Sequence, residues 1–293
     1  MTADPAAEAR ALVDTLGPEA LAKAAAYTAG NHWLILWGFL VALAATLLLI
    51  RLRLLERIPQ PRSPALRALL LPAVFLLASS LLVLPWDAWA DWWRETRYGR
   101  TSQPFGDWLA QSLIALVITT VIGGLFACAL YALIRRAGRR WWIWSGGLVA
   151  LLFSLGLLLS PILIEPLFND YSPLPAGPVR AALEGQAAAA GVPADRIFVY
   201  DGSRQSNNFT ANVSGVFGSA RIAISDVALK GADLDEVRAV TGHEIGHYVL
   251  GHVWRAVAVF SALSVLLFFL VDRLYPRVAP RMGVAAPLAD PAG

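Results

Sequence analysis

The stretch Thr241-Gly242-His243-Glu244-Ile245-Gly246-His247 holds a full H-E-x-x-H. Residues four apart share one face of a helix, so a helix here can turn the His243 and His247 imidazoles toward one metal ion. Glu244 follows the first histidine directly, which sets its carboxylate beside such an ion rather than on it. A general base for an activated water belongs there, and the chemistry is metal-assisted hydrolysis of a peptide bond. The motif is short, and its bland reading is a helix with two ordinary histidines and a glutamate. Against that, the chain has four histidines in all, and two of them are these.

The helix that would carry the motif is well signalled. Asp233 is a good N-cap, Glu236 stands where a capping-box partner belongs, and Val237, Val240 and Ile245 are apolar. His252, just past this helix, reads as an interfacial histidine at a helix end, with support of a metal ligand as the weaker reading.

The surrounding chain is mostly apolar. Of 293 residues, 57% are hydrophobic and 15% charged, with mean hydropathy +0.56. A soluble domain carries about a quarter charged residues, so the composition is that of a membrane protein. The net charge of +3 does not point to nucleic acid, because the arginines flank apolar runs and read as topology signals. The lone Cys128 excludes an intrachain disulfide and a thiolate zinc cluster.

Residues 1–30 are alanine-rich and lack the order of a signal peptide, and one or two short amphipathic helices are expected there. Four spans follow in residues 31–164: Trp33–Ile50, Leu66–Trp86, Trp108–Ile134 and Trp142–Ile164. Each approaches the roughly 20 residues that cross a bilayer. Trp33, Trp86, Trp108, Trp141 and Trp142 mark their ends as an aromatic belt. Residues 165–253 hold most of the remaining polar residues and read as a water-facing insert. Within it a helix is expected over Pro178–Ala190, strands over Arg196–Tyr200 and Ser219–Ser225, and a turn-containing extended segment over Ser203–Gly218. A fifth span, Val257–Leu270, lies in residues 254–293. The expected fold class is mainly α: a multi-span helical membrane bundle with a small α+β insert that carries the metal motif.

Other constellations weigh less. Glu165, a lone acid past the fourth span, reads as capping or solvated. Arg94-Glu95-Thr96-Arg97-Tyr98-Gly99 reads as an interfacial turn. Ser203-Arg204-Gln205-Ser206 has no histidine or acid arranged around it, so a serine nucleophile is not expected. Gly215-x-x-Gly218 lacks the lysine and following helix of a phosphate loop. A transporter would want ionisable residues inside the spans, and these have almost none.

Several stretches together resemble the type I CAAX prenyl proteases and their bacterial relatives, integral-membrane zinc metallopeptidases. Glu95-x-x-Tyr98-Gly99 resembles that family's E-x-x-Y-G loop. Pro161-Ile-Leu-Ile-Glu-Pro-Leu-Phe-Asn169 with Ser172-Pro-Leu174 resembles its P-x-x-I-x-P-L-F-N-x-x-x-P-L signature. Asp201-Gly-Ser-Arg204, Ala211-Asn-Val-Ser-Gly215 with Arg221-Ile-Ala-Ile, Glu236-x-x-Ala239-Val240 and His243-Glu-x-Gly-His247 follow in the family's order, so the resemblance covers roughly residues 30 to 290.

The resemblance implies an endopeptidase with one zinc ion held by His243, His247 and a glutamate, and with Glu244 as general base. It also implies that the extended segment before the metal helix pairs with substrate as an added strand, here within Asn208–Ser225, with Asn208, Thr210, Ala211, Asn212 and Val213 as substrate-binding candidates. The expected partners are a peptide or membrane-protein substrate and the lipid bilayer, with no nucleic acid. Three departures stand out. The family's third ligand comes from an E-x-x-A-D-like motif after a further span, and no such motif precedes Gly293; Asp290-Pro-Ala-Gly293 reads as the lead-in to that span. The alanine-rich segment stands where eukaryotic members have their first span. Thr210-Ala211 replaces the usual Asn-Ala. The missing ligand keeps open a second function class, a catalytically incomplete membrane scaffold or partner-binding subunit. Nothing in the sequence marks a prenyl pocket, so general peptide or membrane-protein cleavage is an equal reading.

Arginines crowd residues 51–67 and 135–140 and the tail after the fifth span, which the positive-inside rule makes cytoplasmic. The charge bias thus favours the extracytoplasmic side of a bacterial inner membrane for the zinc insert, whereas the resemblance to the eukaryotic members implies the cytosolic side.

Overall fold

The computed structural model describes residues 5–193, 195–215 and 220–291. Apolar runs without helix-breaking clusters form its long helices. A short α1 (Pro5–Asp14) precedes α2 (Gly17–Arg51), which continues from the alanine-rich segment into the first apolar stretch without a break at residue 30. After the single turn α3 (Leu54–Arg57) comes α4 (Pro64–Asp87), N-capped by the Ser63 side chain, which accepts from the Leu66 amide. A π-helical segment, Ala88–Trp93, leads into α5 (Arg94–Tyr98), which ends on Gly99 in the left-handed conformation (φ 73°). The next helices are α6 (Phe105–Ala137) and α7 (Trp141–Leu159), the latter passing into a π-helical Ser160–Ile164.

Four helical runs are long and apolar enough to cross a membrane, and the longest, Phe105–Leu167, contains both α6 and α7. Gly138, at φ 53° and ψ −132°, breaks it into helices that pack on each other. The last run belongs to α11 (His252–Val278). Large side chains such as Ile35, Val117, Trp144 and Leu267 stand on the outer surface of these helices. Where the helices touch, small residues allow close approach. The Gly124 backbone lies against Leu69 and Ala73 of α4, and Gly146 lies against Ser261 and Val265 of α11. Trp141 on α7 donates to the Asp272 carboxylate on α11 at 2.8 Å.

The insert is built differently. It contains β1 (Tyr171–Pro173), α8 (Pro178–Ala189), β2 (Ile197–Tyr200), β3 (Ala211–Ser214), β4 (Arg221–Ser225), α9 (Asp226–Gly231) and α10 (Leu234–Val249). The strands form one sheet in the order β1-β2-β4-β3. The β2–β4 pair is parallel and the two outer pairs are antiparallel. The register places Ile222 and Ile224 of β4 beside Val213 and Ala211 of β3. Those side chains face Leu183 and Ala187 of α8 and Val237 and Ile245 of α10 in a buried core. The opposite sheet face is polar and aromatic, with Tyr171, Tyr200, Asn212, Ser214, Arg221 and Ser225 by the same alternation.

Two expectations gain detail. The extended segment Ser203–Gly218 contains a 3-10 turn at Gly202–Arg204 and strand β3; its residues 216–218, with the phosphate-loop position Gly218, lie outside the described residues, as does Ser219 at the start of the expected second strand. Strand β1 was not expected: three residues with a proline give no alternation to read.

Candidate active site

The metal-motif helix α10 starts as its sequence dictates. The Asp233 carboxylate accepts from the amides of Asp235 and Glu236, at 2.9 and 2.8 Å. Glu236 returns the bond by accepting from the Asp233 amide at 3.1 Å. This reciprocal cap fixes the helix origin, and Val237, Thr241 and Ile245 then define its buried face. His243 and His247 fall on the open face, one turn apart, with their Nε2 atoms 2.9 Å from each other.

Two zinc–nitrogen bonds of about 2.0–2.1 Å at a tetrahedral angle hold their nitrogens roughly 3.3 Å apart, so a small outward swing of either ring seats an ion between them. Two imidazole Nε2 atoms this close together are a donor set that suits zinc. Among the described residues no group of three or more His, Cys, Asp or Glu side chains converges to hold an ion. The residues present therefore fit the metal with two ligands, and a third donor is not among them.

Glu244 is half-buried beside the pair. It lines a cleft of about 790 Å³ together with His247, His252, Glu165, Val213 and Ser214. Leu157 at the end of α7, Pro161 in the π-helical turn after it, and Val253 and Trp254 at the start of α11 add to its walls. The cleft thus opens where the insert meets the helices.

The remaining site candidates sit on or near β3, which among the described residues is an edge strand paired with β4. The Thr210 carbonyl accepts from the Ser225 amide at 2.9 Å, and the Thr210 amide donates to the Ser225 hydroxyl at 3.2 Å. Antiparallel ladders alternate, so the backbone groups of Asn212 also face β4, while those of Ala211 and Val213 face the free edge. The Ile222 amide, which donates across the sheet to Arg196 at 2.9 Å, obeys the same alternation. Val213 also lines the cleft. Asn208 turns to a local role: its amide and its Nδ2 both donate to the Ser206 hydroxyl. Among the described residues the buried Asn212 Oδ1 has no hydrogen-bond partner.

Three readings change. Glu165 is neither a cap nor solvated: it accepts from the Arg221 guanidinium at 2.6 Å, with both side chains largely buried. Tyr171 donates to the same carboxylate at 3.2 Å and stacks against the Arg221 guanidinium. Burial, followed by the neighbouring Glu165 charge, pushes the Tyr171 phenol well up, so it stays a donor. His252 is no idle interfacial residue, because its Nδ1 lies 2.7 Å from the His247 Nδ1. The 94–99 patch is more than a turn. Arg94 is buried, pairs with Glu95 at 2.9 Å and donates to the Tyr27 carbonyl on α2 at 2.8 Å. The following loop grips the insert: the Arg100 carbonyl accepts from the Asn207 amide at 2.8 Å, and Thr101 donates to the Gln205 carbonyl at 2.7 Å.

The partners of Glu165 and Arg94 lie 56 and 67 residues away, so no local pattern could have shown them. For His252 there was a signal, a glycine directly before it and a motif histidine five positions back.

Comparison with known proteins bears on this geometry. Residues 5–170 match the CAAX prenyl protease N-terminal region, described as five membrane helices. Residues 173–286 match peptidase family M48. The chain belongs to the M48 CAAX prenyl protease family. As in that family, membrane helices precede the peptidase region, and the protein is an integral membrane protein. The uncharacterized metalloprotease YhfN of Bacillus subtilis is 32% identical over 205 residues, 70% of this chain and 48% of that protein. CAAX prenyl protease 1 of Saccharomyces cerevisiae is 28% identical over 240 residues, 80% of this chain and 50% of its own length. The crystal structure of S. mikatae Ste24p superposes with a TM-score of 0.63 at 27% identity, covering 69% of this chain and 49% of that one. The chain spans about half the length of the relatives it matches.

Proposed function

We propose that this protein is the membrane-embedded, zinc-dependent endopeptidase unit that its family membership suggests. The observation that carries the reading is the His243–His247 pair, its Nε2 atoms 2.9 Å apart, with Glu244 beside it in a cleft that also takes in the edge strand. His243 and His247 hold the ion, and the third ligand is a glutamate from outside the described residues. Zinc bound there supplies Lewis acidity that polarises a peptide carbonyl and acidifies water. Glu244 accepts the proton of the attacking water on its carboxylate and later delivers it to the leaving amine nitrogen. The free edge of β3 orients an extended substrate segment through the backbone groups of Ala211 and Val213. Thr210 and Asn212 pair with β4 behind that edge, and Asn208 shapes the turn that leads into it.

In this reading residues 165–253 are the catalytic insert, with residues 31–164 and 254–293 as its membrane anchor. The substrate is a peptide or a membrane protein, met on the extracytoplasmic side of a bacterial inner membrane. The two-ligand donor set favours one other reading, a scaffold or partner-binding subunit with no activity of its own. Zinc content of the full-length protein separates the two: about one tightly held ion supports the peptidase, and none supports the scaffold. The mechanism is tested by Glu244→Gln in a full-length enzyme, which should keep zinc and lose roughly 10²–10⁴-fold in cleavage. Loss of zinc with that change would make Glu244 a ligand and overturn its role as base.

A further inference from the structure

A histidine that gives its Nε2 lone pair to a metal must carry its proton on Nδ1, and that N–H needs an acceptor. For His247 the atom in place is the Nδ1 of His252, at 2.7 Å, with the two rings edge to face and their centroids 4.8 Å apart. We propose that His252 is the positioning residue of the metal site: its Nδ1 lone pair accepts the His247 Nδ1 proton and so fixes the tautomer and ring angle of that ligand. The inference rests on the metal reading of His243 and His247 given above.

The backbone shows how the contact is built. On an uninterrupted helix, residues five apart are roughly 140° apart around the axis, and the two rings would diverge. The helix is interrupted here. α10 closes at Leu250, whose amide donates to Gly246, and Gly251 takes the left-handed conformation at φ 65° and ψ 30°. That single residue re-aims the chain, so the first residue of α11 faces back toward the metal helix. A side chain at 251 would meet nothing within 4 Å, so the demand for glycine there is conformational rather than steric. His252 is held by the start of a membrane helix, a stiff base for an orienting group. Its own Nε2 then carries the proton, and the ring lines the same cleft as Glu244.

Ligation fixes the direction of this bond. A His247 that accepted a proton at Nδ1 while giving Nε2 to the ion would have to be an imidazolate. Only a group with a lone pair can therefore replace His252.

The test is Zn²⁺ affinity of the full-length protein in detergent, measured by competition with a chromophoric chelator. The wild type, His252→Gln, His252→Phe and His243→Ala are compared, each with its circular-dichroism melting curve. His252→Phe should bind Zn²⁺ about 10–100-fold more weakly while melting like the wild type without metal. His252→Gln, whose amide oxygen can accept, should recover most of the affinity. If His252→Phe does not fold, His252→Ala takes its place. Wild-type affinity in His252→Phe, with binding lost in His243→Ala, overturns the positioning role alone. An equal loss in His252→Phe and His252→Gln overturns it too, since packing rather than an acceptor would then be at stake. Absence of saturable Zn²⁺ in the wild type, or no effect of His243→Ala, overturns the metal reading and the positioning role together.

Discussion

The bundle and the insert solve opposite packing problems with similar residues. In the insert, Leu183, Ile222 and Ile224 have no exposed surface, and every member of the buried apolar cluster lies between Leu174 and Ile245. In the long helices many large apolar side chains point outward, and glycines such as Gly124 and Gly146 mark the contacts. Water drives the first arrangement, because burying a large aliphatic side chain is worth about 1.5–3 kcal/mol. Lipid is as apolar as leucine and cannot drive the second, so close backbone approach and bonds such as Trp141 to Asp272 must hold it. The seam between them is ionic and polar: Glu165 with Arg221, and the 99–101 loop with Gln205 and Asn207.

Substitutions can break that contrast, the strongest first. Leu183→Ala should cost the insert about 2–5 kcal/mol, because the site is fully enclosed; denaturant melts of the insert would show it. Gly146→Leu should cost the bundle about 1–3 kcal/mol by driving α7 from Ser261 and Val265; detergent-resistant compactness would report the change. Arg221→Ala should cost about 1–3 kcal/mol, since it leaves the Glu165 carboxylate largely buried with only hydroxyl partners; Glu165→Gln with Arg221→Ala should recover part of that loss in the same melts.

Acid should separate the regions further. Burial raises the Asp226 carboxyl, but bonds from the Lys230 ammonium and from the Ser203 hydroxyl and amide outweigh it, giving a value of about 2 against an ordinary 3.8. A depressed carboxylate stabilises the fold above its unfolded value and loses that contribution as pH falls through the folded one. The insert should therefore weaken between about pH 4 and pH 2, and Asp226→Asn should flatten that slope in pH-dependent melts. The smallest effect belongs to the outer helix surface. Val117→Leu, 61% exposed in the structure, should change bundle stability by less than about 0.5 kcal/mol.

Much of this was legible in residue order because its causes are local. The long helices follow from uninterrupted apolar runs, the origin of α10 from Asp233 and Glu236, and β2 and β4 from short β-branched stretches. The spacing of His243, Glu244 and His247 put two rings on one helical face for the same reason. Strand β1 escaped because its identity comes from pairing with β2 and not from its own three residues.

What only the tertiary structure decided is the set of contacts whose partners are far apart or separated by a change of direction. Glu165 meets Arg221, and Arg94 meets Tyr27, because helices fold back over tens of residues, and no pattern within a window encodes where a chain returns. His252 meets His247 because one glycine leaves the helical region, which turns two neighbours in sequence from divergent into facing rings. The sequence by itself determined most of the elements, the family motifs and the two histidines on one helical face, since hydrophobic period, capping and the helical repeat act within a few residues. The fold alone decided what stands behind those histidines and how the insert is fastened to the membrane helices.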